Sequence, residues 1–435
     1  MIIKNKKAVL LGFISTVTAS LIFATSAHAD NLNRESAQTS KLEAYLKFSK
    51  IVQLIEEQYV DEINASDIID NALKGMLSNL DAHSSFMNAK ETKELQVQTH
   101  GEFGGLGITV GMKDGALTVI APLEGTPADK AGIKASDIIL KINEQATIGM
   151  TIDKAVSIMR GKPQTDIELT IVRKGEARPL KIKITRDIIE IQSVYSKTIG
   201  DNILYLRITS FDQKVVLGMR DAIAKHPKMK GIVLDLRNNP GGLLNQAIGV
   251  VDMFVNKGAI VSQKGKIPEE NLVYNATAPG TDSKTPLVIL VNGGSASASE
   301  IVSGALQDHK RAVVVGQKTF GKGSVQVVMP ISQDEALRLT IARYYLPSGR
   351  TIQAVGVTPD VEVSYGEIKK AEEGISIKEK DLQKHLESEL EKVDGKKEKT
   401  AKDEDKSIIT EEQIYKDSQL KSAVDILKAL IITNN

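Results

Sequence analysis

The chain has 435 residues, a hydrophobic content of 41% and a formal net charge of +1. Its length fits roughly two to four domains, and its apolar content is sufficient for buried cores. The nearly neutral charge argues against nucleic acid or an acidic membrane surface as the main partner, and the absence of cysteine excludes disulfides.

Residues 1–29 are typical of a secretory signal peptide. Three lysines stand among the first seven residues, and a mostly apolar stretch follows from 8 to 24. Ala-His-Ala at 27–29 is an A-x-A cleavage pattern, which predicts a mature chain beginning at Asp30. The alternative is an uncleaved anchor, for which the apolar stretch is short. Export, with no cysteine after the signal, favours the bacterial periplasm or cell envelope and argues against a lipoprotein.

Residues 30–99 are predicted to form a helical region. In LEAYLKFSKIVQLIEEQYV, apolar residues such as Ile51 and Ile55 recur at helical spacing. A second helix is predicted over ASDIIDNALKGMLSNLD, with Ser66 or Asp67 as its N-cap. We interpret the region as a helical packing arm.

Residues 100–186 are predicted to form a separate domain of strands and glycine turns, with a short helix over TIDKAVSIMRG and a hairpin over TDIELTIVRKGEARPLKIKITR. This pattern resembles a PDZ domain. Consecutive N–H groups at a glycine turn form an anion site that suits a C-terminal carboxylate, and the next strand offers an edge for strand addition. Val156 and Met159 on the helix would line a groove for the last apolar side chain. The residues that match the PDZ carboxylate-binding loop are Gly104, Gly105, Leu106, Gly107 and Ile108.

Residues 187–365 alternate strand and helix patterns, which favours a mixed sheet with helices on its faces. The most informative stretch is PLVILVNGGSASASEIVSGALQD at 286–308. It indicates a buried strand, a tight turn and a helix start. Ser295, Ser297 and Ser299 lie at this turn, where free N–H groups of the first helical turn can face a developing oxyanion. From the residues alone, each serine is a candidate nucleophile or helix cap.

A serine hydroxyl becomes a good nucleophile only when a base removes its proton. TFGKGSVQ at 319–326 places Lys322 between two glycines, Gly321 and Gly323. The glycines would let the backbone pass close to Ser297, and burial would lower the pKa of the Lys322 amine. A Ser–His–Asp triad is the alternative scheme. His309 lies near the serines in sequence, but its helix-terminal surroundings suggest that it faces solvent.

These two motifs resemble those of the C-terminal processing peptidases, or tail-specific proteases, which are serine enzymes with a serine–lysine dyad. The resemblance covers about residues 40–365. It implies that Ser297 is the nucleophile, that Lys322 is the general base and that Gln326 supports the amine. It further implies a crotonase-like spiral for the core.

An oxyanion hole needs two fixed donors. The N–H of Ala298, directly after the nucleophile, is one candidate. The turn NNPGG after the predicted strand GIVLDLR supplies the other, as in the family, and the choice between Gly241 and Gly242 stays open at this point.

Residues 366–435 are predicted to form a charged linker and C-terminal helices, including a solvated helix near 376–393. The last helix, QLKSAVDILKALI, is amphipathic and suited to dock on the core or on a second subunit.

The fold class predicted is therefore multidomain α+β and α/β, with a helical N-terminal arm, a PDZ domain, a crotonase-like protease core and a helical tail. The predicted function is that of an exported serine endopeptidase that recognises C-terminal tails. No metal or organic cofactor is expected, because the chain has no cysteine and no HExxH-like spacing. Its partners would be proteins or peptides with free C-termini, which are its substrates. The chain could also form a homodimer or higher oligomer and bind an adaptor protein. The rival class is a non-catalytic PDZ adaptor with a decayed protease core.

Overall fold

The computed structural model describes residues 40–200, 202–277, 282–368 and 407–433. The predicted signal peptide at 1–29 and the predicted helix near 376–393 lie outside these residues. The chain divides into two compact units, Met1–Phe86 and Met87–Asn435, and each is described by itself. Among the described residues, no helix is both long and apolar enough to span a membrane.

The first unit contains the two helices that the sequence predicted. Helix α1 covers residues 40–58 and helix α2 covers Ala65–Ser78; strand β1 (Ser85–Met87) begins at the end of this unit. The predicted N-cap, Ser66 or Asp67, was wrong. Asn64 caps α2, because its backbone is extended and its side chain accepts the N–H of Asp67 at 2.9 Å.

The second unit opens with helix α3 (Ala89–His100) and the predicted PDZ domain. The domain has a six-stranded sheet and the short two-stranded pair β2–β9. The strands are β2 (Glu102–Gly105), β3 (Ile108–Lys113), β4 (Ala116–Pro122), β5 (Ile138–Ile142), β6 (Gln145–Ala146), β7 (Asp166–Val172), β8 (Leu180–Thr185) and β9 (Asp187–Glu190). The helices are α4 (Pro127–Lys130) and α5 (Ile152–Met159). The predicted helix and the predicted hairpin, β7 with β8, are both confirmed.

The core that follows is built on a seven-stranded sheet in the order β19-β16-β15-β12-β11-β10-β20. Neighbouring strands are parallel except β10 and β11. The strands are β10 (Val194–Ile199), β11 (Ile203–Ile208), β12 (Gly231–Asp235), β15 (Leu287–Val291), β16 (Val313–Gly316), β19 (Val361–Glu362) and β20 (Ile408–Ile409). The helices are α6 (Val215–Ala224), α7 (Leu244–Asp252), α8 (Ala298–Asp308), α9 (Glu411–Tyr415) and α10 (Ser418–Thr433).

Alternate residues of β11 point to opposite faces of this sheet, as the period of a strand requires. Leu204 and Leu206 belong to the apolar cluster that contains α6, α7 and α8. Ile203 and Tyr205 belong to the cluster that contains α10. Helices therefore cover both faces, which confirms the predicted architecture of the core.

A second core sheet contains two strands that the sequence analysis missed. The predicted hairpin is present as β17 (Ser324–Pro330) and β18 (Ala336–Tyr345), which pair antiparallel. It is extended by β13 (Ala259–Gly265) and β14 (Leu272–Asn275), with a 3-10 turn at Pro268–Glu270 between them.

The C-terminal helix docks on the core, one of the two alternatives predicted. Leu420, Val424 and Leu427 of α10 are at most 5% exposed, and α10 contacts β12, β15 and β16. Ile409 in β20 pairs with Ile199 of β10, so the C-terminal segment also adds an edge strand to the sheet.

Candidate active site

The predicted serine turn joins the carboxyl end of β15 to the N-terminus of α8. Ser297 is the N-cap of α8, with φ 53° and ψ −110°. A positive φ is uncommon for a residue other than glycine, and such strain costs about 1–3 kcal/mol and persists only where the surroundings impose it. The turn thus holds Ser297 in a conformation that an isolated peptide would avoid.

The three serines of the turn differ in burial and in hydrogen bonding. Ser295 and Ser299 are completely buried. The hydroxyl of Ser295 donates to the carbonyl of Leu236 at 2.8 Å, and that of Ser299 donates to the carbonyl of Asn239 at 3.0 Å. Both serines tie the turn to the segment after β12, whereas Ser297 is partly exposed.

Glu300, in the first turn of α8, connects the serine segment to the lysine segment. Its carboxylate is completely buried. One oxygen, Oε2, accepts the backbone N–H of Ser297 and the backbone N–H of Lys322, each at 2.8 Å. The two backbones therefore lie no farther apart than two hydrogen-bond lengths.

The other oxygen of Glu300 holds the start of the lysine loop. Oε1 accepts the N–H of Gly321 at 2.7 Å and the hydroxyl of Thr319 at 2.5 Å. The Thr319 hydroxyl in turn accepts the N–H of Val357 at 2.7 Å. Four donors thus surround the carboxylate of Glu300, two at each oxygen.

The two glycines beside Lys322 allow a close contact with the loop after β18, which was not expected from the sequence. A Cβ on Gly323 would lie 2.5 Å from the backbone nitrogen of Gln353, and one on Gly321 would lie 3.3 Å from the backbone around Val355. The close approach that these two glycines allow is therefore to the loop that follows β18. The loop at 353–357 supports the lysine loop from behind.

Gln326 lies in β17, on the hairpin that follows the lysine loop. Its amide nitrogen donates to the hydroxyl of Ser324 at 2.7 Å and to that of Thr340 on β18 at 3.3 Å. These bonds fix the orientation of the Gln326 amide at the start of the hairpin.

The NNPGG turn packs directly against the serine turn. Gly241 has φ +102°, and a Cβ there would lie 2.8 Å from the carbonyl oxygen of Ala296 and 2.9 Å from Cβ of Ser297. Asn239 is completely buried and joins the two turns, because its carbonyl accepts the N–H of Ala296 at 3.0 Å. Only glycine fits at position 241 without displacing the serine segment.

The N–H groups of the two glycines are not equivalent. Gly241 donates its N–H to the side-chain oxygen of Asn239 at 2.9 Å. The N–H of Gly242 makes no hydrogen bond to another described residue, and the same is true of the N–H of Ala298. Within the part of the chain that the structure describes, Gly242 and Ala298 thus each have an unused backbone donor.

A buried charged group precedes the NNPGG turn. Asp235, at the end of β12, is completely buried and accepts the hydroxyl of Tyr205 at 2.7 Å and the guanidinium of Arg237 at 2.7 Å. Burial opposes the charge on Arg237, but the hydrogen bonds and charges of Asp235 and Asp417 outweigh it and raise the pKa of the guanidinium. Arg237 therefore stays ionised next to the turn.

His309 is not solvent-facing, and this expectation was wrong. Its ring is partly buried, and Nε2 lies 2.7 Å from the carbonyl oxygen of Ala259. Because a carbonyl can only accept, Nε2 carries the proton and is committed to β13. The ring thus has a structural role at the end of α8, which does not favour the triad alternative.

The PDZ-loop residues are divided between a strand and a turn. Gly104 and Gly105 belong to β2, which pairs with β9, so the turn itself consists of Leu106 and Gly107 before Ile108 opens β3. On α5, next to β3, Val156 is partly buried and Met159 is 4% exposed. Met159 therefore contributes mainly to the core of the domain.

Sequence reasoning missed three groups at this site: Glu300, Asn239 and the Asp235–Arg237 pair. A signal for Glu300 was available, since Ser297-Ala298-Ser299-Glu300 fits the S-x-x-E pattern of a helix start. Asn239 and Arg237 act through contacts with residues distant in the chain, which no local pattern reveals.

Three protein-family models match successive parts of the chain. The model of Peptidase family S41 matches residues 202–363, that of the PDZ domain matches 104–184, and that of the activating protease CtpB N-terminal domain matches 12–92.

Two curated relatives are similar over most of their length. A carboxy-terminal-processing protease of Bartonella bacilliformis is 45% identical over 357 residues, which are 81% of each chain. The carboxy-terminal processing protease CtpA of Bacillus subtilis is 34% identical over 82% of this chain and 78% of its own. Among solved structures, the photosystem II D1 C-terminal processing protease aligns at 28% identity and a TM-score of 0.42, over 73% of this chain and 92% of that one. The chain is therefore a serine protease that belongs to the carboxy-terminal processing proteases of peptidase family S41 and carries a PDZ domain.

Proposed function

We propose that this protease is an exported endopeptidase in which Ser297 is the nucleophile and Lys322 is the general base. The observation that carries the proposal is the shared oxygen of Glu300, which holds the backbones of both residues together. The strained backbone of Ser297 adds support, because strain of this kind is concentrated at active sites.

In the proposed reaction, the uncharged amine of Lys322 takes the proton of the Ser297 hydroxyl as its oxygen attacks the scissile carbonyl. Lys322 then gives this proton to the leaving amine, which leaves an acyl group on Ser297. Water attacks the acyl group in a second step, again with Lys322 as base. Gln326 supports the amine from the neighbouring strand.

The oxyanion of each tetrahedral intermediate is assigned to the N–H groups of Ala298 and Gly242. Gly241 is the weaker candidate, because its N–H already donates to Asn239. Fixed backbone donors at this point are typically worth about 10²–10³ in kcat each.

The PDZ domain, which we place at residues 100–186, is assigned to substrate capture. The carboxylate of the substrate tail would bind at the turn of Leu106 and Gly107, and the tail would pair with β3. The names of the Bartonella and Bacillus relatives support a C-terminal tail as the recognised feature.

The direct test is the cleavage of one defined tailed protein, read out as the masses of all products. Ser297→Ala and Lys322→Arg should each abolish cleavage. The arginine is always protonated and cannot act as a base near neutral pH. Lys318→Ala is the matched control, since Lys318 is an exposed lysine of the same segment. Internal cuts support an endopeptidase.

Two results would contradict the proposal. Cleavage at the parental rate by Ser297→Ala and Lys322→Arg would show that neither residue takes part in catalysis. A parent chain that binds tails but never cleaves them would favour the non-catalytic adaptor instead. Amidation of the substrate's terminal carboxylate should weaken cleavage, and an unchanged rate would count against PDZ capture.

Export to the periplasm or cell envelope is proposed on the signal-like residues 1–29. N-terminal sequencing of the protein isolated from cell envelope fractions should give Asp30 as the first residue. A chain that still starts at Met1 in a membrane fraction would support the anchor alternative. Light scattering of the mature protein, alone and with candidate adaptors, tests assembly into a dimer or higher oligomer.

A further inference from the structure

The C-terminal segment reaches the residue that precedes the proposed oxyanion turn. Arg237 uses Nε and Nη2 to bind Asp235, at 3.0 and 2.7 Å. Its remaining nitrogen, Nη1, donates to Asp417 at 2.9 Å and to Gln419 at 3.1 Å. The guanidinium therefore forms hydrogen bonds both to the sheet and to a segment that lies 180 positions further along the chain.

The C-terminal side of this contact is itself fixed. The Asp417 carboxylate also accepts the N–H of Leu420 at 3.0 Å, which caps the start of α10. Gln419 is 1% exposed and donates its amide to the carbonyl of Val363 at 2.9 Å. Since α10 is packed on the sheet, Asp417 and Gln419 form a rigid support and not a mobile surface contact.

The turn side of the contact leads directly to the catalytic segments. Asn238 follows Arg237 and forms two hydrogen bonds with Asn292, which opens the serine turn, each at 2.9 Å. A cavity of about 310 Å³ lies beside these residues, and its lining includes Arg237, Asn238, Asn292 and Asp417. If Nη1 lost its partners, Arg237 would have room to move into this space.

The ion pair between Arg237 and Asp417 holds the arginine more strongly than a neutral hydrogen bond would. The side chain of Arg237 is 10% exposed and that of Asp417 is 18% exposed, so solvent screens the pair less than it would a surface pair. A hydrogen bond between ions is about twice as strong as one between neutral groups. Loss of Asp417 would leave Arg237 with Asp235 as its one charged partner among the described residues.

We infer that Asp417 and Gln419 are positioning residues, which hold the turn from Asn238 to Gly242 in its catalytic geometry through Arg237. The inference rests on the function proposed above for that turn. Neither residue touches the reacting atoms; they act by fixing the side chain that anchors the turn. The C-terminal helix would thus be part of the catalytic apparatus.

The test compares Asp417→Ala, Asp417→Asn and Gln419→Met with the parent in the full mature chain. A displaced oxyanion turn weakens the transition state and leaves substrate binding intact. We expect Asp417→Ala to lower kcat about ten-fold, a fraction of the value of one oxyanion donor, with KM changed less than about two-fold. Asp417→Asn keeps an oxygen for Arg237 and for the cap and should lose less, and Gln419→Met should also lower kcat.

A peptide aldehyde of the substrate sequence provides a readout that a merely structural role would not move. The aldehyde forms a tetrahedral adduct with the catalytic serine, so its inhibition constant reports the oxyanion turn. This constant should rise by about the same factor as kcat falls. Asp425→Ala is the control, because Asp425 pairs with Lys421 on the exposed side of the same helix.

Two results would overturn the inference: an unchanged kcat in Asp417→Ala, or a lowered kcat with an unchanged aldehyde constant. If Asp417→Ala does not fold, Asp417→Asn and Gln419→Met decide by the same criteria. Ser297→Ala in the same assay distinguishes a failure of the proposed function from a failure of this inference. Activity in Ser297→Ala contradicts the proposed function, whereas an inactive Ser297→Ala with fully active Asp417 and Gln419 variants contradicts the inference alone.

Discussion

The backbone nitrogens of Ser297 and Lys322 share one hydrogen-bond acceptor, Oε2 of the buried Glu300. One carboxylate thus fixes a helix N-terminus and a glycine-flanked loop relative to each other. Because the bonds involve the backbone, they place the two residues without using the hydroxyl or the amine.

Glu300→Gln tests this role directly. A glutamine would direct its NH2 group at donors that now face an oxygen, and it would leave buried N–H groups unpaired at about 1–3 kcal/mol each. We expect a fall in kcat of at least about 100-fold, comparable to the loss of one oxyanion donor, and a lower free energy of unfolding. Steady-state kinetics and urea unfolding measure the two effects.

The control for this substitution is Glu335→Gln. Glu335 is only partly buried, and its carboxylate accepts the hydroxyl of Ser332 in the turn of the β17–β18 hairpin. Parental activity in Glu300→Gln would show that the Glu300 carboxylate is not needed to place the segments of Ser297 and Lys322.

Gly241→Ala should inactivate the enzyme by steric conflict. The added methyl group would lie 2.8 Å from the carbonyl oxygen of Ala296 and 2.9 Å from Cβ of Ser297, and φ is +102°. We expect kcat to fall by at least about 100-fold, the scale of a lost oxyanion donor. The measurement is kcat on a defined peptide substrate.

Gly349→Ala separates the steric effect from the backbone cost. Gly349 has φ +83° and no atom within 4 Å of an added Cβ. An alanine at position 349 would therefore have only the cost of the left-handed backbone conformation, about 1–2 kcal/mol. Equal loss of activity in Gly241→Ala and Gly349→Ala would argue against a specific contact between the two turns.

The PDZ domain should lose stability in acid through Asp137. Burial tends to raise the pKa of this carboxyl, but hydrogen bonds from Arg173 and from the N–H of Lys134, with their charges, outweigh it and hold the pKa below its usual range. A depressed pKa in the folded state gives stability that is present above the unfolded value, about 3.9, and is lost as the pH falls through the folded value.

Asp137→Asn makes this prediction measurable. At pH 7 the variant should unfold at a lower temperature than the parent. The difference in Tm between the two chains should shrink as the pH is lowered from about 5 to below about 4, where the unfolded carboxyl takes up a proton. A constant difference across this range would mean that ionisation of Asp137 does not contribute.

Local patterns in the sequence were sufficient for much of the fold. Apolar periodicity gave α1, α5 and α10, and a lysine–glycine turn between two alternating stretches gave the β7–β8 hairpin. The strand, turn and helix around Ser297 were also predictable, because small residues after a buried run indicate a tight turn.

What the sequence left out depends on contacts between distant segments. The strand β13 precedes a turn without strong signals, and its partner β18 comes much later in the chain. The glycines around Lys322 are explained by Gln353 and Val355. The hydrogen bond from Arg237 to Asp417 joins residues 180 positions apart, so no local sequence pattern predicts it.

The catalytic roles of Ser297 and Lys322 are tested most directly by trapping the covalent intermediate. The parent and Lys322→Arg are mixed with an activated ester of the substrate peptide and quenched in acid, and the acylated residue is located by mass spectrometry. We predict an acyl group on Ser297 in the parent and none in Lys322→Arg at the same time point. An acyl group on another residue, or acylation of Lys322→Arg at the parental rate, would contradict these catalytic roles.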